Sequence, residues 1–154
     1  MTGAEYANLV ASYISRRFAS RALKVYREIK VQDDHRKRPL RRHLLRERRR
    51  TEGIRDRVQV SGQSGHGGRT IPYALEDVRA LPMAGCIAYA GSGFSSGVLH
   101  MLAASPHAAY CLPLNDQSAM TSDTKELDHV LAVHFGWWDV LVGQRRPIAS
   151  ERLI

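Results

Sequence analysis

The residues best suited to chemistry on a charged polymer are the cations between positions 36 and 50: Arg36, Lys37, Arg38, Arg41, Arg42, Arg46, Arg48, Arg49 and Arg50. At this density they can neutralise phosphates along a nucleic-acid backbone, non-specifically and with an affinity that falls steeply with salt. No aromatic residue is interleaved among them, so their spacing gives base stacking no support. A solvated charged segment has the same composition, and that plainer reading ranks ahead of a binding arm.

Other groups are weaker. Gly91, Gly93 and Gly97 stand between an apolar run and a helical one, which suggests phosphate binding at a helix N-terminus. Their spacing is not G-x-G-x-x-G and no P-loop lysine follows, so a tight strand-to-helix turn is expected, with Ser95 and Ser96 capping the helix. His129 and His134 are five residues apart and do not share a helix face as metal ligands would; His129 is expected exposed and His134 packed. Glu126, Asp128 and Asp139 make no recognisable site. Cys86 and Cys111 lack C-x-x-C spacing and read as buried thiols. Trp137 and Trp138 read as a core edge.

The elements that would position these groups are legible on both sides of one gap. Tyr6, Leu9, Val10, Tyr13, Ile14 and Phe18 recur every three or four residues and predict an amphipathic helix over 4–18. Leu23, Val25, Ile29 and Val31 alternate with Lys24, Glu28 and Lys30, a period-two strand over 23–31. Thr70 can cap a helix over 71–81 carrying Tyr73, Leu75, Val78 and Leu81 inward. A strand over 86–90, a helix over 98–104 and a strand over 108–112 follow. A last helix starts near Asp123, with Glu126 as its capping-box partner. Strands alternating with helices imply an α/β layered domain.

The 154 residues make one domain able to bury a core. No apolar run is long enough to span a bilayer and no secretory pattern opens the chain, so a cytoplasmic protein without a membrane partner is expected. The net charge of +8 is uneven: residues 31–70 hold 12 Lys+Arg against 5 Asp+Glu, and so carry +7 of it. That quarter also lacks a sustained period, with an arginine-rich stretch over 36–50 and a glycine-rich linker over 61–68. A structureless stretch of this length is unusual inside a compact domain.

On the flanking elements the chain resembles PD-(D/E)XK nucleases. The order helix, strand, gap, helix, strand is similar to their α-β-β-β-α-β core with two strands missing from the gap. Arg27-Glu-Ile-Lys-Val31, Ile71-Pro-Tyr-Ala-Leu-Glu-Asp77 and Glu126-Leu-Asp-His-Val130 look like stretches of a bacterial branch. Residues 1–31 and 71–141 carry the resemblance; 32–70 depart from it, and 142–154 form a tail. The resemblance implies a restriction-endonuclease-like α/β fold with its central strands disrupted here. It also implies Mg²⁺-dependent cleavage of a phosphodiester by an aspartate on one strand and Glu-x-Lys on the next.

Neither motif strand is visible, but codons can be chosen for which one shift of reading frame gives the Glu-x-Lys strand. Codons for Ile-Glu-Cys-Lys-Tyr-Gln, each triplet borrowing the last base of its predecessor, yield Asp-Arg-Val-Gln-Val-Ser, the residues at 56–61. The same phase relates Gly65–Arg69 to Gly-Thr-Ala-Asp-Glu, and Gln32–Lys37 to Lys-Thr-Ile-Ile-Gly-Lys. On this reading Arg42 stands for the aspartate, Arg57 for the glutamate and Gln59 for the lysine. The expectation is a degenerate nuclease domain with no catalytic residue retained and no cofactor of its own. Its alternatives are a basic nucleic-acid-binding protein using residues 36–50, and the non-functional product of a frameshifted gene.

Overall fold

Thr2 opens the first helix, α1 (Gly3–Arg17), with a full capping box: its Oγ1 accepts from the Glu5 amide at 3.2 Å, and Glu5 Oε2 accepts from the Thr2 amide at 2.6 Å. The helix buries Tyr6, Val10, Ala11, Tyr13 and Ile14 as one stripe, and Phe18 completes it. In this computed structural model the described residues are 1–21, 23–31, 40–47, 57–64, 71–80, 84–114 and 118–143; within 27–31, 40–47 and 57–64 the description is of the backbone.

Five strands form one sheet in the order β1 (Leu23–Val31), β2 (Leu40–Glu47), β3 (Arg57–Ser64), β4 (Ala84–Ala90) and β5 (Ala108–Tyr110). The first three run antiparallel, while β4 joins β3 and β5 joins β4 in parallel. Parallel neighbours need crossovers. These are the helices α2 (Ile71–Arg79) and α3 (Ser96–Ala103). Two further helices, α4 (Lys125–Phe135) and α5 (Trp138–Val142), close the chain's described part.

The helices divide between the two faces of the sheet. Cys86, Ala88 and Ala90 of β4 cluster with α1 and α4, whereas Ile87 and Tyr89 cluster with Ile71, Leu75 and Val78 of α2 and Val98 and Leu102 of α3. Gly85–Ala90 are accordingly buried without interruption, as a strand covered on both faces must be. Leu23 and Val25 of β1 pack on the α1 side.

The α-β-β-β-α-β order expected from the resemblance is therefore the order of the chain. Its centre carries irregularities: β1 shifts register against β2 between Tyr26 and Ile29, and β2 pairs with β3 across the four residues His43–Arg46. Two expectations need correction. Leu40–Glu47 is strand rather than unstructured basic arm, and Ser61–Ser64 belongs to β3, paired with Ile87–Ala90, rather than to a linker. Backbone pairing needs no apolar alternation, and the buried backbone of β4 requires a partner for its polar groups. Arg36, Lys37, Arg38, Arg48, Arg49, Arg50 and the capping role expected of Thr70 lie outside the described residues.

At α4 the expected capping box is replaced. The helix starts at Lys125 after Thr124, without a side-chain cap, and Glu126 Oε2 accepts from the Tyr110 amide at 2.7 Å instead. Gly136 then ends α4 in the left-handed region at φ 68°, which turns Trp137 back onto the core. Its ring lies 4.7 Å from Phe18 and 4.8 Å from Phe135. Trp137 is the core edge expected; Trp138, 71% exposed, is not.

Candidate functional site

The strands expected to carry a catalytic centre are β2 and β3, and their register states which positions meet. Arg46 is opposite Arg57, Leu44 opposite Gln59, Leu45 opposite Val58 and His43 opposite Val60. Across the next ladder, Gln59 is level with Gly85 of β4. Arg42 and Arg41 pair with Ile29 and Lys30 of β1. Arg42 is thus four residues along β2 from the partner of Arg57, about 13 Å at the rise of an antiparallel strand. The ladder brings Arg57 and Gln59 together with Arg46 and Leu44; it does not bring Arg42 level with Arg57.

A polar cluster that the sequence did not reveal lies between α1 and α4. Asp128 is fully buried, and Tyr13 donates its hydroxyl to Asp128 Oδ1 at 2.7 Å. Arg17 Nε donates to Oδ2 at 3.0 Å, from a side chain still 26% exposed. Burial raises the Asp128 carboxyl above the ordinary range, opposed by the bonds from Tyr13 and Arg17 and by the charges of Arg17 and His129. Burial likewise raises the Tyr13 hydroxyl. Thr124, also fully buried, accepts from the Thr121 amide at 2.9 Å and fixes the turn leading into α4.

A signal for this cluster was present. Thr124, Asp128, Leu131 and Phe135 follow helical spacing, so Asp128 stands within the apolar stripe of α4. A carboxylate there must be paired or neutral. Tyr13 and Arg17, one turn apart on α1, supply both partners. Both oxygens of the buried Asp128 carboxylate are engaged, which suits the cluster to joining two helices rather than to reaching a substrate.

The remaining candidates resolve simply. Ser95 caps α3, its Oγ accepting from the Val98 amide at 3.4 Å, and Gly91 turns the chain at φ 103°. Cys86 and Cys111 are buried free thiols; burial pushes Cys86 up to about 12, far from a reactive thiolate. His129 is half-buried, not exposed. His134 is half-buried, and burial lowers its ring below the usual histidine range. A cleft of about 450 Å³ is lined by Pro72, Tyr73, Leu75, Glu76, Arg79 and Met101, with Glu76 and Arg79 paired at 3.0 Å. Among the described residues no three His, Cys, Asp or Glu side chains gather as metal ligands, and no helix is long and apolar enough to cross a membrane.

An antiparallel three-strand unit extended in parallel through α2, with α1 before it, defines an α/β nuclease-type core. The family model of the PD-(D/E)XK nuclease superfamily domain matches residues 2–138. The chain belongs to that superfamily. No curated protein and no solved structure matches the chain.

Proposed function

We propose that this chain is a catalytically inactive PD-(D/E)XK domain, derived from Mg²⁺-dependent enzymes that cleave nucleic-acid phosphodiesters. The observation that carries this reading is the residue content of β2 and β3. Mg²⁺ requires oxygen ligands, carboxylates foremost, in near-octahedral geometry. On the frame-change reading Arg57 and Gln59 stand for the glutamate and lysine, and Arg42 for the aspartate. If the register made Arg46 the aspartate's successor, the outcome would be the same, since it too is an arginine. Guanidinium groups repel the cation and offer no lone pair. Arg42, Arg57 and Gln59 therefore do not fit Mg²⁺, and no catalytic step is derived through it.

The origin we propose for this content is a frame change entered after Val31 and reversed near Thr70. The coding DNA tests it: a one-base shift between those points should read out an aspartate strand followed by Glu-x-Lys, and failure to do so ends the frame argument.

A second reading is favoured by the concentration of +7 of the net +8 within residues 31–70. There the chain binds nucleic acid non-specifically through Arg36, Lys37, Arg38, Arg41, Arg42, Arg46, Arg48, Arg49 and Arg50. Changing Arg36, Lys37, Arg38, Arg48, Arg49 and Arg50 to glutamine should abolish salt-sensitive affinity for DNA; unchanged affinity would count against it. The setting we propose is cytoplasmic, in keeping with two unpaired buried thiols.

A further inference from the structure

Tyr73 falls off the buried stripe of α2. Ile71, Leu75 and Val78 cluster with Ile87 and Tyr89 of β4 and are buried. Two residues along a helix is a rotation of about 200°, so the ring between Ile71 and Leu75, expected inward, is instead 75% exposed. It lines the cleft of about 450 Å³ between α2 and α3 together with Met101 of α3, itself 41% exposed. Glu76 and Arg79 line the same cleft, paired at 3.0 Å, with side chains 70% and 50% exposed.

These two helices do not share the charge of the chain. Residues 71–80 hold Glu76, Asp77 and Arg79, and residues 95–105 hold no Asp, Glu, Lys or Arg, so together they carry −1 in a chain of net +8. Nucleic acid and anionic lipid are poor occupants of such a face, whereas a second copy meets no excess of positive charge on the two helices. The charges are also self-complementary. Across a two-fold axis a surface meets itself reversed, so with the two α2 helices antiparallel Glu76 of each copy faces Arg79 of the other. The pair within each chain is then exchanged for one across the axis, and no charge is left unpaired as the cleft is covered.

We propose that the α2–α3 face is an interface between two copies of this chain, related by a two-fold axis beside α2, with the Tyr73 ring of each copy covering the apolar cleft of the other. Burial of Tyr73 and Met101 supplies the drive, and the exchange of Glu76–Arg79 pairs fixes the register. Helices of nine and eight residues offer a small face, so the dimer is a concentration-dependent one. The proposal is independent of the catalytic standing of the chain and of its binding to nucleic acid.

The test is sedimentation equilibrium of the full chain over a concentration series. The parent should move from the mass of one chain towards that of two. Tyr73→Ser, at an exposed position, should raise the dimer dissociation constant roughly tenfold. Glu76→Arg and Arg79→Glu each set like charges across the axis and should each raise it roughly a hundredfold. An equimolar mixture of those two variants should dimerise again, because each then meets the opposite charge; a role confined to one chain gives no such recovery. Thermal midpoints close to that of the parent show that the variants fold, and if a charge variant does not, Tyr73→Ser decides alone. A parent that stays monomeric, a dimer unmoved by Tyr73→Ser, or a mixture of folded charge variants that fails to recover would each overturn the proposal.

Discussion

Tyr13 and Asp128, far apart in sequence, are joined by a 2.7 Å hydrogen bond that ties α1 to α4 inside the core. Arg17 completes the arrangement on the second carboxylate oxygen. Because Asp128 is fully buried and Arg17 partly exposed, the two ends are not equivalent. Removing Arg17 leaves a buried carboxylate short of its counter-charge, whereas removing the carboxylate's charge leaves an arginine that water can reach.

Arg17→Ala should therefore destabilise the domain by about 3 kcal/mol at neutral pH. Asp128→Asn, which retains an acceptor for Tyr13, should cost less, and Tyr13→Phe about 1–3 kcal/mol. Urea unfolding gives the order directly. Asp128→Asn proving more damaging than Arg17→Ala would contradict it.

The same cluster gives a pH dependence with a definite sign. Burial holds the folded Asp128 above the unfolded value of 3.8, so the folded state binds the proton more tightly. Its favourable contribution is complete below 3.8 and is lost as pH rises through the folded value. Glu5 and Asp139 run the other way. The Thr2 bonds lower Glu5 and the Arg21 bond lowers Asp139, so their contributions are lost as pH falls. The informative quantity is thus the difference between the parent and Asp128→Asn, which should shift against the parent as pH rises from about 4. Thermal unfolding across a pH series measures it; a difference that moves towards the parent would refute the assignment.

Much of this fold is legible in the residues. The α1 stripe matches the structure closely, and β1 runs over the residues expected, with Leu23 and Val25 packed on the core and Lys24 and Tyr26 exposed. The sequence expectation for α2 runs two residues past its observed end at Arg79, and that for β4 starts two residues late. β2 and β3 were not legible, because Arg41, Arg42, Arg46 and Arg57 remove the alternation on which a strand reading depends; their pairing rests on backbone groups and on the partners either side. Asp128 was missed for the opposite reason: one acid in an apolar stripe looks like a surface residue until its partners on another helix are known.

Gly136 holds a conformation that L side chains resist. Gly136→Ala should cost about 1 kcal/mol and loosen the seating of Trp137 against Phe18 and Phe135. Tryptophan fluorescence and the urea midpoint together check this, with Gly136→Asn expected to be milder. Equal stability of the alanine variant would show that the turn does not depend on the left-handed residue.

The account's central claim is that a PD-(D/E)XK domain here lacks the side chains to hold its metal. The direct measurement is cleavage of single- and double-stranded DNA and of RNA by the purified chain, with Mg²⁺ and with EDTA. The account predicts no metal-dependent cleavage of any of them. Robust cutting in Mg²⁺ that EDTA abolishes, and that follows the chain through purification, would contradict it.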